Sequence, residues 1–271
     1  MASVITTISG LDLHYEVFHP KAEKTVVFLH GFTGSTKTWQ HVIERMPENI
    51  RIFAIDLIGH GLTASPKNVS SYTMEAQVDL LEAFFEQRKL TNFHLVGYSM
   101  GGRTALAYAI AHPERIDRLF LESASPGLEN ELDREKRKAS DNYLAERLLN
   151  EGIREFIDYW QQIPLFTTQS RLSEQVKAEI RAERLAQNEL VLANSLRGMG
   201  TGAQRSYWDS LTAFARPVIL LTGELDQKFY RKAEQMKEQF QNCSHIVING
   251  CGHAIHVENP EVFVTMIEKQ F

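Results

Sequence analysis

The sequence predicts an α/β fold: a mostly parallel central sheet with helices on both faces and an inserted helical cap. Three observations carry this expectation. Apolar runs of strand length alternate with helical stretches from the start to about Leu121, and the alternation resumes from about Phe214. Between them, residues 126–207 hold no convincing strand and are rich in Arg, Glu, Leu, Ala and Gln. Strand–helix alternation gives parallel strands joined by crossover helices. The expected division is a core of residues 1–125 and 208–271, with 126–207 inserted as the cap.

The elements follow in order. Residues 3–8 and 11–18 read as a β pair. Residues 25–29 (TVVFL) and 52–55 are apolar strands, and 93–96 (FHLV) is a third. An Ala-rich helix follows at about 102–111, then a strand at 119–121. Within the insertion, Pro164 breaks one of several helices. After it come a buried strand at 218–221, a helix near 231–240, a strand near 245–248 and a last helix at 260–271. The insertion is the size of a lid between two halves of one sheet, rather than of a separate helical domain.

At 271 residues the chain is long for one simple domain and short for two, which suits a domain with an insertion. The net charge of −5 gives no support to nucleic-acid or membrane binding. Cys243 and Cys251 have no metal-site spacing, so no metal and no cofactor are expected, and both are read as reduced, buried thiols of a cytoplasmic protein. The N-terminus lacks the basic and apolar regions of a secretion signal. No apolar run approaches the ~20 residues needed to span a bilayer. Monomer and homo-oligomer are equally open.

Gly97-Tyr98-Ser99-Met100-Gly101 lies between the 93–96 strand and the Ala-rich helix. In that setting a G-x-S-x-G pentapeptide is a nucleophile elbow, a strained turn that exposes Oγ at a helix N-terminus. The partners of a serine nucleophile follow in order. Asp226 sits in the turn after the 218–221 strand, with Glu224 as rival, and His253 follows Gly250-Cys251-Gly252, with His256 as rival. Ser, Asp, His is the chain order of α/β-hydrolases. The glycine before His253 favours it as the imidazole delivered to a cleft, whereas His256 reads as a packing or capping residue. His30-Gly31-Phe32 follows the 25–29 strand. Such a loop supplies one backbone N–H of an oxyanion hole, here from Phe32, and Met100 supplies the second. Asp56 and Gly59-His60-Gly61 also fit the pattern, with His60 read as structural.

The charges bear on substrate. Arg103, four residues after Ser99, lies one helical turn below it on the same side. A buried arginine is costly unless an anion pairs with it. A substrate carboxylate is one such partner, and a local Asp or Glu is the other. Arg134 and Arg137 fall in a run, ENELDREKRK, that reads equally as a solvated face held by i,i+4 ion pairs, and Arg181 and Arg184 raise the same ambiguity. Tyr159-Trp160 can line an apolar pocket or form the core of a small cap.

These residues resemble the 2-succinyl-6-hydroxy-2,4-cyclohexadiene-1-carboxylate synthases, the MenH family of menaquinone biosynthesis, over nearly the whole chain. The resemblance rests on His30-Gly31-Phe32-Thr33-Gly34, on the elbow from Gly97 to Arg103 and on Pro126-Gly127-Leu128 with the Arg-rich helix after it. It rests also on Asn194 to Gly202 (NSLRGMGTG) and on Gly223-Glu224-Leu225-Asp226-Gln227-Lys228-Phe229. It implies a lyase that eliminates pyruvate from a small-molecule tricarboxylate. By the same resemblance Ser99, Asp226 and His253 are the triad, and Phe32 and Met100 the oxyanion donors. Tyr98, Arg103, Arg137, Arg184 and a cap aromatic, Tyr159 or Trp160, bind substrate. The rival readings are an esterase, thioesterase or C–C hydrolase of the same fold, and a non-catalytic ligand receptor. Arg103 argues against an apolar acyl pocket, and the intact oxyanion loop against a receptor.

Overall fold

The computed structural model describes all 271 residues. Eight strands form one sheet in the order β1-β2-β4-β3-β5-β6-β7-β8. They are β1 (Ala2–Ile8), β2 (Leu11–Phe18), β3 (Lys24–Leu29), β4 (Ile50–Ile55), β5 (Phe93–Tyr98), β6 (Ile116–Glu122), β7 (Val218–Gly223) and β8 (Cys243–Ile248). The β1–β2 and β2–β4 pairs are antiparallel and all others parallel.

The central strands read as unbroken apolar runs because both faces are covered, as parallel sheets require. Alternate side chains go to opposite faces. Val27 and Leu29 of β3, with Leu95 of β5 and Leu220 of β7, join a core that includes Leu81, Phe84, Leu106 and Met236. Those four come from α2 (Met74–Gln87), α3 (Met100–Ala111) and α8 (Gln227–Gln239). Val26 and Phe28, with Val96 and Ile219, face Val42, Ile255 and Phe263 on the other side. These belong to α1 (Gln40–Ile43), α9 (Ile255–Glu258) and α10 (Pro260–Glu268).

The segment between β6 and β7 holds helices and loops but no strand: α4 (Glu131–Trp160), a 3₁₀ stretch Pro164–Arg171, α5 (Glu174–Leu185), α6 (Glu189–Met199) and the short α7 (Trp208–Leu211). Gly152, at φ 84°, kinks α4, and Pro164 opens the 3₁₀ stretch. Ala145, Leu148, Phe156, Ile157, Leu192, Ala193 and Leu196 form a small core of this segment's own. No helix is long and apolar enough to cross a membrane.

The strand order reverses between β3 and β5. A crevice opens outside the carboxyl ends of parallel strands at such a switch point. The loop after β3 and the turn after β5 therefore meet there. One sequence expectation changes: of the two free thiols, Cys251 is buried, but Cys243, at the start of edge strand β8, is only partly so.

Candidate active site

Ser99 holds φ 51° and ψ −105° between β5 and α3. A left-handed, non-glycine residue of this kind stores roughly 1–3 kcal/mol of backbone strain. Two glycines make the turn possible. A Cβ on Gly97 would run into the backbone of Gly101, and one on Gly101 into the carbonyls of Leu29 and His30. The Ser99 N–H donates to the Glu122 carbonyl at 2.9 Å, which ties the turn to β6.

His253 Nε2 stands 3.1 Å from Ser99 Oγ, and its Nδ1 is 2.6 Å from Asp226 Oδ2. Asp226 also caps α8, accepting from the Phe229 N–H at 3.2 Å on Oδ1. Both its oxygens are thus engaged, which fixes the carboxylate plane against the imidazole. The rivals are engaged elsewhere. Glu224 accepts from the Gly250 N–H at 2.9 Å, and His256 is held to Glu122 at 2.8 Å through Nδ1. The glycine before His253 is required by contact: a Cβ on Gly252 would overlap Thr168 of the helical segment. Glu258 pins that loop, accepting from the Gly252 N–H and the Thr168 hydroxyl, each at 2.8 Å.

Met100 opens α3, so its N–H has no carbonyl one turn back to donate to. The Phe32 ring packs edge-on against Trp160, 5.4 Å between centroids, which docks the loop after β3 under the helical segment. His30 holds the adjacent turn, accepting from the Leu57 N–H at 3.0 Å on Nε2. His60 is fully buried, and burial beside His30 pushes its pKa down to about 3. It stays neutral and structural. Asp56 accepts from the Thr36 and Leu62 N–H groups and holds His14, whose Nε2 meets Ser3 Oγ at 2.9 Å. This repeats the Ser–His–Asp atom pattern, but Ser3 lies on the exposed edge strand, away from the oxyanion loop.

Two cavities lie beneath the helical segment, sharing Phe32, Tyr98 and Phe166 as walls. The one holding Ser99 has a volume of about 130 Å³. Arg103, Arg137 and Lys228 all line it, with Trp160, whose indole N–H has no partner. Arg103 donates to the Met199 carbonyl at 2.7 Å and to Gln204 Oε1, and makes no ion pair. Burial and neighbouring Arg137 push its pKa down to about 10, so it remains charged at neutral pH. Arg137 pairs with Asp141 at 2.8 Å, the i,i+4 contact open from sequence, yet still faces the cavity.

The second cavity, about 330 Å³, does not touch Ser99. Arg184 lines it, 7% exposed, with its guanidinium 4.7 Å over the Phe166 ring and Gln169 as its hydrogen-bond partner. Burial lowers its pKa. Arg134 and Arg181 sit in ion pairs with Glu131 and Asp158.

Of the two neighbouring aromatics at the end of α4, the structure brings only Trp160 to the cavity. Tyr159 is 39% exposed under the Arg147 guanidinium, outside both cavities. Adjacent helical residues point about 100° apart, so only one of such a pair can face the site. Sequence reasoning passed over Lys228 and Gln204. A signal for Lys228 was present: a cation in the first turn of a helix opposes the macrodipole.

Sheet order, elbow and triad order are together those of α/β-hydrolases, and a family model described as alpha/beta hydrolase fold matches residues 24–260. A Bacillus subtilis (strain 168) protein provisionally named 2-succinyl-6-hydroxy-2,4-cyclohexadiene-1-carboxylate synthase is 41% identical over 271 residues, covering 99% of this chain and 98% of the relative. The synthase of that name from Salmonella newport is 35% identical over 236 residues, covering 87% of this chain and 89% of its own. The solved structure of MenH from S. aureus matches with a TM-score of 0.90 at 35% identity, over 94% of this chain and 96% of that one. This chain belongs to the 2-succinyl-6-hydroxy-2,4-cyclohexadiene-1-carboxylate synthase family.

Proposed function

We propose that this chain is a carbon–oxygen lyase. It eliminates pyruvate from 2-succinyl-5-enolpyruvyl-6-hydroxy-3-cyclohexene-1-carboxylate, giving 2-succinyl-6-hydroxy-2,4-cyclohexadiene-1-carboxylate in menaquinone biosynthesis in the cytoplasm. The observation that carries this reading is Arg103: a buried guanidinium lining the Ser99 cavity that makes no salt bridge of its own, the neighbouring carboxylate of Asp141 being paired directly with Arg137. An anionic substrate supplies the missing partner, and arginine's planar fork suits a carboxylate.

In this account Ser99, His253 and Asp226 act as one base. Asp226 holds His253 with Nε2 toward Ser99 Oγ, and the pair removes the ring proton α to the succinyl carbonyl. Charge moves to the carbonyl oxygen, where the Phe32 and Met100 N–H groups stabilise it. The ring double bond then shifts, the ring C–O bond breaks, and enolpyruvate leaves to become pyruvate by taking up a proton. A positioned base contributes ~10²–10⁴ in rate. Tyr98, Arg103, Arg137, Trp160 and, from the adjoining cavity, Arg184 hold the tricarboxylate. Residues 126–207 act as the cap over a core of 1–125 and 208–271, keeping water from the enolate.

The 3.1 Å Ser99–His253 contact also fits an esterase. The test runs the enol ether and chromogenic acetate esters in parallel, with pyruvate read by a lactate dehydrogenase couple. Stoichiometric pyruvate with weak ester turnover supports the lyase. Ester cleavage without pyruvate release supports the hydrolase.

A further inference from the structure

We propose that Lys228 is a specificity-determining ligand for the outermost carboxylate of the substrate, at the entrance of the Ser99 cavity. The inference rests on the anionic-substrate reading above and adds a residue to it. Lys228 lines the cavity together with Ser99, Arg103 and Arg137. It stands in the first turn of α8, two residues after Asp226. A cation there faces the positive end of the helix dipole, so its place costs stability unless something anionic visits it.

No acid of the protein makes an ion pair with it. Both Asp226 oxygens are taken by His253 and the Phe229 N–H. Asp141 is paired with Arg137, and Glu224 turns away to the Gly250 N–H. Lys228 makes no ion pair, and its ammonium lies 5.4 Å from the centroid of the neighbouring Phe229 ring. Desolvation and the repulsion of Arg137, partly offset by Asp226, lower its pKa, and the three cations line one cavity.

The three cations differ in rigidity. Arg103 is anchored by Met199 and Gln204, and Arg137 by Asp141. Lys228 is a point charge on a free four-carbon stem. It is exposed to solvent, so it meets the arm of the substrate that loses water last. Its work is recognition of a third negative charge, with no part in proton transfer.

The test compares wild type with Lys228→Met and Lys228→Arg. Lys228→Met should raise KM for the enol-ether tricarboxylate roughly ten- to hundredfold, the scale of losing a charge-assisted hydrogen bond. Its kcat should stay within about threefold, and Lys228→Arg should recover most of the loss. Calorimetric binding of tricarballylate, a flexible tricarboxylate, should weaken by a similar factor in Lys228→Met, and binding of acetate should not change. Unchanged KM and tricarballylate affinity, or no binding of tricarballylate to wild type, overturn the proposal. A fall in kcat and melting temperature together, without rescue by Arg, assigns Lys228 a structural role and also overturns it. Lysine-dependent tricarballylate binding without pyruvate release keeps Lys228 and sinks the lyase reading instead.

Discussion

Replacing Arg103 by methionine should separate activity from stability. In the free protein the guanidinium is held by two neutral acceptors, Met199 O and Gln204 Oε1, with Arg137 and Asp141 nearby but no salt bridge of its own. Deleting it forfeits two hydrogen bonds, about 1 kcal/mol each. It also removes a desolvated charge whose pKa is already pushed down to about 10. The two effects oppose each other, so we expect a net stability change within about 1.5 kcal/mol, or a melting shift of a few degrees. Substrate binding has no such cancellation. Truncating one partner of a buried charge pair costs about 2–5 kcal/mol, a loss of roughly thirtyfold to several thousandfold in kcat/KM. Arg103→Lys should recover only part, because an ammonium lacks the fork. Small neutral esters, where turned over, should be little affected. The assay is pyruvate release alongside thermal melting. An Arg103→Met protein within about fivefold of wild-type kcat/KM refutes the reasoning. So does one that has lost its folded transition, since Arg103 would then be structural.

Three further outcomes follow from the same geometry. Ser99→Ala and His253→Ala should each lose a large and similar factor in kcat, and the double variant little more, because the pair acts as a unit; additive losses would contradict that. Glu122→Ala leaves the backbone N–H and Nδ1 of fully buried His256 without their acceptor and should cost about 1–3 kcal/mol in denaturant unfolding; a change under ~0.5 kcal/mol would remove the contact from the account. Acid stability should be limited by buried histidines. His60, His30 and His94 have folded-state pKa values below 6.5, so the unfolded chain binds more protons below that pH. Stability is therefore lost as pH falls from about 6.5 toward 3, and His60→Phe should flatten that limb of a pH-resolved unfolding curve.

The sheet was legible because burial on both faces leaves uninterrupted apolar runs such as Val26-Val27-Phe28-Leu29, and no helix period competes with them. Strand ends were less so: β6 begins at Ile116, three residues before the run at Leu119, because Asp117 and Arg118 are polar residues at the strand's entry. The elbow and triad order were readable because backbone strain at Ser99 demands glycines on both sides. The pocket's charges were legible in part. Arg103 was marked by its place one turn after Ser99, but Arg134 and Arg137 share one charged run, and only the fold brings Arg137 to the cavity and pairs Arg134 with Glu131. Likewise, which of Tyr159 and Trp160 faces the cavity is set by the rotation of α4 after its kink at Gly152, a tertiary fact.

The central claim is that Ser99 serves as part of a base and never carries substrate. The most direct measurement is rapid-quench intact mass spectrometry of the enzyme during turnover of the enol-ether tricarboxylate. The account predicts an unmodified protein mass at every time point, while pyruvate and the cyclohexadiene product form in equal amounts. An adduct on Ser99 that rises and decays at the turnover rate would contradict it.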